Sequence, residues 1–204
     1  MKLLKDKPIL KKDKVRLKMI NKLAVKISKI LVKNDVVKFD DYEICIYGLE
    51  VIFITSLDII GTLLIGLLLN WLSDTIIFII FFCLLRINAG GYHAKTPVRC
   101  FVLFNILTQG VILLSNNIMI INNITIIILL MAITFILILK YAPSDTQNKP
   151  LSSMEKKKHR RNSIITFFIQ SLIILGIYFI DNNLINYCTV AAFGSFIEAC
   201  TLIF

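Results

Sequence analysis

Thr75-Ile-Ile-Phe-Ile-Ile-Phe-Phe-Cys-Leu-Leu85 runs directly into Arg86-Ile-Asn-Ala-Gly-Gly91, and how these two pieces join decides the fold. Eleven residues at a helical rise give roughly 16 Å, about half of a ~30 Å hydrocarbon core. If the helix stopped at Arg86, the run could not span. A four-span alternative would leave two apolar runs unassigned or re-entrant. If the helix continues through Ile87–Ala89, with Arg86 snorkelling or paired, Gly90-Gly91 ends it and the run spans. The second reading is adopted, because it treats all the apolar runs alike.

Those runs lie at 44–69, 75–91, 100–115, 124–140, 164–180 and 184–204. The expected fold is an all-α membrane protein of about six transmembrane helices. Residues 1–43 form a Lys-rich cytoplasmic segment, and 44–204 a single polytopic domain with cytoplasmic loops at 86–99 and 141–163. Basic residues give the orientation. Residues 1–47 hold 13 Lys and Arg, 86–99 hold three, and 140–163 hold seven, which is all 23. The intervening connections hold none. Positive charge marks the inner side, so both termini and both basic loops are expected in the cytoplasm of a cell-membrane protein.

Within the N-terminal segment, Leu17, Ile20, Leu23, Ala24, Ile27, Ile30 and Leu31 recur at helical spacing over 15–33, opposite Lys14, Lys18, Lys22, Lys26, Lys29 and Lys33. Such a helix suits the inner membrane interface. The net charge of +10 would point to nucleic acid in a soluble chain. Flanking apolar runs, it points instead to anionic lipid headgroups, with no nucleic-acid partner. The first apolar run comes too late for a signal peptide. Cys45, Cys83, Cys100, Cys188 and Cys200 lack metal or disulfide spacing, so neither a metal, a cofactor nor a disulfide framework is expected.

Only between Arg86 and Cys100 do a histidine and a cysteine come close. Cysteine is a nucleophile as thiolate, and an imidazole can take its proton near neutral pH. On one continuous helix, seven residues would separate His93 and Cys100 by ~10 Å. Gly90, Gly91 and Pro97 exclude that helix. Thr96 reads as an N-cap and Pro97 as the first helical residue, so Cys100 falls in a first turn whose partial positive charge favours thiolate. The bland alternatives are an apolar filler cysteine and a snorkelling interfacial histidine.

Arg86-x-x-Ala-Gly-Gly-Tyr-His-Ala-Lys-Thr96 followed by Cys100 resembles the signature of AgrB, the accessory gene regulator membrane peptidase of quorum sensing. Tyr47-Gly-Leu-Glu50 and Tyr141-Ala-Pro-Ser-Asp-Thr-Gln-Asn-Lys-Pro150 are similar to two further stretches of that family. The resemblance implies a cysteine endopeptidase with His93 and Cys100 as its catalytic pair. Arg86 and Gly91 fall on functionally important family positions. Asn88, Gly90, Glu50 and Lys149 are placed with them as supporting or substrate-binding residues. It also implies a partner, an AgrD-like precursor peptide, which is cleaved near its C-terminus and closed into a thiolactone or lactone ring. The basic run Glu155–Arg161 would attract the precursor's acidic tail. A homodimer is a candidate assembly.

Glu50, Asp58 and Glu198 lie in or beside spans, where ionisable groups are costly. Glu50 is a candidate partner of Arg86, and Glu198 a candidate break that would make the last run re-entrant or interfacial. Gly61 and Gly66 are expected at close helix contacts, and Gly194-Ser195 is a weak match to a serine site within a span. The functional alternatives are a small transporter with Asp58 and Glu50 along its pathway, and a receptor or scaffold without chemistry.

Overall fold

The structure, a computed structural model, describes residues 18–91, 97–118, 121–144 and 152–203. Among the described residues every regular element is helical. They are α1 (Lys18–Lys33), α2 (Tyr42–Leu68), α3 (Leu72–Ala89), α4 (Pro97–Asn117), α5 (Ile124–Tyr141), α6 (Ser153–Ile180) and α7 (Ile185–Thr201), with single 3-10 turns at Phe39–Asp41 and Asn182–Leu184. Helices α2 to α7 are each long and apolar enough to cross a membrane, and six such helices fit a multi-pass membrane protein. α3 passes through Arg86 without a break and ends on Gly90, whose φ of 79° suits glycine and whose N–H bonds to the Arg86 carbonyl.

Packing divides the chain into two units. The first holds α1, α2 as far as Gly61, and the start of α4 as far as Val102. Ile20, Ala24 and Ser28, four residues apart, form the buried stripe of α1. Its polar links run to α2: Asn21 Nδ2 donates to Glu50 Oε1 at 2.6 Å, and Ser28 Oγ to Cys45 Sγ at 3.4 Å. The separations fall from 29 residues to 17, so the two helices run antiparallel. Segment 18–33 therefore packs with the domain expected to begin at residue 44, while Leu23 and Ile30 stay exposed. Gly61 is the expected close contact, since a Cβ there would lie 2.7 Å from the Phe101 ring.

The second unit comprises 62–93 and 103–204. α7 is its centre and packs on α3, α5 and α6. In a membrane, close packing and interhelical hydrogen bonds hold helices together, because lipid is as apolar as leucine. A Cβ at Gly194 would lie 2.9 Å from the Phe78 carbonyl of α3, and one at Gly66 would collide with Thr75. Ser195 Oγ donates to Gln170 Oε1 at 3.1 Å, and Gln170 Nε2 donates to the Phe81 carbonyl at 2.7 Å. Gly194-Ser195 is thus a packing pair, tied to an amide rather than to a base. Phe78, Phe82 and Phe104 interlock α3 with α4. At the other end of α3 and α7, Asn186 Nδ2 donates to Asp74 and to Asn116, and Ser115 bonds to both Asn186 and Asn122.

Segment 141–163, expected as a loop, is helical from Ser153. Ser152 Oγ accepts from the Glu155 N–H and Glu155 accepts from the Ser152 N–H. This reciprocal cap starts α6 eleven residues before its apolar run. The basic residues Lys156–Arg161 are therefore the first turns of a span, and Arg160 donates to the Leu139 carbonyl at the end of α5.

Candidate active site

The site residues begin where α3 ends. Arg86, in its last turn, donates from Nη1 to Glu198 Oε2 of α7 at 2.9 Å and contacts Thr201 Oγ1 at 3.4 Å. Its guanidinium lies 5.4 Å from the centre of the Phe82 ring. Glu198 is fully buried. Thr201 Oγ1 also donates to the Glu198 carbonyl at 2.8 Å, so arginine, carboxylate and hydroxyl form one cluster. A buried carboxylate is tolerable only when paired. Glu198 consequently does not break the last span, and α7 stays helical through it. Sequence reasoning missed this pairing across 112 residues. The available signal was an acid in an apolar run with no nearby cation of its own.

Asn88 Nδ2 donates to Thr166 Oγ1 of α6 at 3.1 Å, which makes it a helix tie in this structure. Gly90 and Gly91 follow, with φ of 79° and 130°, both in the region glycine favours. The Gly90–Gly91 turn is confined on two sides. The Ser144 N–H donates to the Ala89 carbonyl at 2.8 Å, and a Cβ at Gly90 would lie 2.7 Å from the Ser144 carbonyl oxygen. A Cβ at Gly91 would collide with Thr201 Oγ1 and lie 3.0 Å from Glu198 Oε1 and 3.2 Å from Arg86 Nη1. His93 and Lys149 lie outside the described residues.

In the other unit, α4 begins at Pro97, which puts Cys100 in its first turn, half-buried. Glu50 is buried and accepts from Asn21, as described above. Among the described residues no group of three His, Cys, Asp or Glu side chains could hold a metal ion.

The family model described as Accessory gene regulator B, AgrB, matches residues 20–202. The chain belongs to the AgrB family. The match takes in α1 and α7 as well as the Arg86–Cys100 segment, so Glu198 and Thr201 fall within it. An AgrB-like protein of Clostridium perfringens (strain SM101 / Type A) is 28% identical over 154 residues, covering 71% of this chain and 72% of its own length. The accessory gene regulator protein B of Staphylococcus carnosus (strain TM300) is 30% identical over 133 residues, 65% of this chain and 67% of its own. That of Staphylococcus intermedius is 30% identical over 122 residues, 60% and 64%. No solved structure matches. As an AgrB member the chain is an accessory gene regulator of quorum sensing.

Proposed function

We propose that this chain is a membrane cysteine endopeptidase that processes an AgrD-like precursor peptide. The Cys100 thiolate attacks the scissile carbonyl, and His93 takes the thiol proton and returns it to the leaving amine. The C-terminal tail departs and the retained part is held as a thioester. A thiol or hydroxyl within the bound peptide then displaces Cys100 and closes a thiolactone or lactone. The observation that carries this reading is Cys100 in the first turn of a helix starting at Pro97, where the helix dipole favours thiolate. His93 stands seven residues before it, beyond the helix-ending Gly90-Gly91.

The distribution of Lys and Arg supports a cell-membrane location with both termini and the site cytoplasmic, beside anionic lipids and the precursor's acidic tail. Arg86, Asn88, Gly90, Gly91, Glu50 and Lys149 support the dyad or the substrate in this reading. The test is cleavage of a precursor by purified protein in lipid vesicles. Cys100→Ala and His93→Ala each abolish cleavage while the protein stays inserted, and Cys188→Ala leaves it near normal. Normal cleavage by Cys100→Ala would remove the peptidase reading.

A further inference from the structure

We propose that the exposed side of α6 holds one anionic phospholipid, with its phosphodiester on Lys157, Lys158 and Arg161 and an acyl chain in the groove between α6 and α3. The inference goes beyond the peptidase reading and does not depend on it. The five Lys and Arg residues of 156–161 are not equivalent. Arg160 turns back on the body of the protein, donating from Nη2 to the Leu139 carbonyl at 2.7 Å, and Lys156 stands one turn before it on the same side. Lys157, Lys158 and Arg161 are exposed and, with Met154, line a concavity of about 550 Å³. Glu155, the acid that shares this concavity, is engaged by the Ser152 N–H.

From there the helix carries the same line into its apolar run. Lys158, Arg161, Ile165, Ile169 and Ile173 follow one another at spacings of three or four residues, so they share one side of α6. The three isoleucines are about half exposed. Ile169 and Ile173 form one wall of a groove of about 410 Å³, and Ile80 and Leu84 of α3 form the other. Thr166 and Gln170 also line it, and both are already bonded. Thr166 Oγ1 accepts from Asn88, while Gln170 accepts from Ser195 and donates to the Phe81 carbonyl. A peptide backbone laid in this groove would bring N–H and C=O groups that find no partner, which a hydrocarbon setting does not tolerate. An acyl chain brings none. At the cationic end, arginine grips a phosphodiester with a two-pronged fork and the lysines add charge. Cations above an apolar slot, on one side of one helix, complement a phospholipid; a soluble acidic peptide would use the charged end alone.

The test is native mass spectrometry of the full chain in detergent micelles, titrated with phosphatidylglycerol or with phosphatidylcholine of the same acyl chains. Helix content is checked by circular dichroism. Each cation near a membrane surface is worth roughly 5-fold in affinity for an anionic lipid. The parent should therefore take up one phosphatidylglycerol at about 100-fold lower concentration than phosphatidylcholine. Replacing Lys157, Lys158 and Arg161 together by Gln should remove that preference. Replacing Lys22, Lys26 and Lys29 of α1 by Gln takes away the same charge and should leave it intact. Leu84→Trp and Ile169→Trp fill the groove from exposed positions and should weaken both lipids alike while the preference stays. This second arm holds even if the triple variant of α6 does not fold. Equal losses from the two triple variants would overturn the proposal, by making the attraction diffuse. Lipid binding unchanged by both groove variants would overturn it as well. So would decaglutamate binding more tightly than phosphatidylglycerol and indifferently to Leu84→Trp, since the face would then be a dock for an acidic peptide.

Discussion

Neutralising either end of the Arg86–Glu198 pair strands the other charge in the packed centre of the second unit. The two atoms are 2.9 Å apart, with Glu198 fully buried and the Arg86 side chain 19% exposed. At an effective dielectric of about 20, the Coulomb attraction at that separation is roughly 6 kcal/mol, most of it offset by the cost of desolvating both ions. What a single substitution exposes is that uncompensated cost, so Arg86→Gln and Glu198→Gln should each destabilise by about 3–5 kcal/mol. At about 2–4 °C per kcal/mol, that is a fall in Tm of roughly 6–20 °C. The double variant carries no stranded charge, and its two amides can hydrogen-bond each other. It should lie within about 2 kcal/mol of the parent rather than at the additive loss of roughly 6–10 kcal/mol. Steric-trapping or detergent-titration unfolding in bicelles, with melting followed by circular dichroism, measures the cycle. Additive losses would refute the reasoning, since they would mean that the two residues do not stabilise each other.

Single cysteines at Asn117 and Asn183 should react with an impermeant thiol reagent from outside the cell, and one at Ser152 should not; outside labelling of Ser152→Cys would reverse the proposed orientation. Gly194→Ala should cost about 1–3 kcal/mol, because α7 must move off the Phe78 carbonyl. Gly176→Ala meets nothing within 4 Å and should be neutral or gain up to about 1 kcal/mol by helix propensity, both read by the same unfolding assay. For a thiolactone product, ring closure exchanges one thioester for another and supplies little driving force. Free tail peptide added to the vesicle reaction should therefore lower the plateau of cyclic product and regenerate precursor; a plateau indifferent to tail would point to hydrolysis or an external energy source.

The six spans are legible because each apolar run carries its own length. Arg86 can be placed inside a span because Gly90-Gly91, directly after Ala89, supplies a stop one turn beyond it. Pro97 likewise announces the start of α4. Contacts that join distant elements are not written locally. Nothing near Glu198 in sequence names Arg86 as its partner, because the pairing depends on α7 packing against α3. Glu50 bonding to Asn21 is similar: the apolar pattern of α1 reports a stripe that includes Ala24, and says nothing of Asn21 and Ser28 as its polar links to α2. The start of α6 is obscured for a different reason. Lys-rich composition outweighs Ser152-x-x-Glu155, a local cap signal that stands in the sequence.

That early start gives α6 28 residues, about 42 Å of helix at 1.5 Å per residue. A hydrocarbon core takes up about 30 Å, so roughly two turns stand clear of it as a stiff post. Lys156, Lys157, Lys158 and Arg161 ride on that post and cannot adjust their positions independently of the span below. Spans answer a thinner bilayer by tilting, and tilting the post by about 10° would swing its tip, ~12 Å beyond the core, by about 2 Å. Where these cations stand is therefore set in part by the thickness of the lipid around α6, so the membrane itself acts as a mechanical input to this end of the helix.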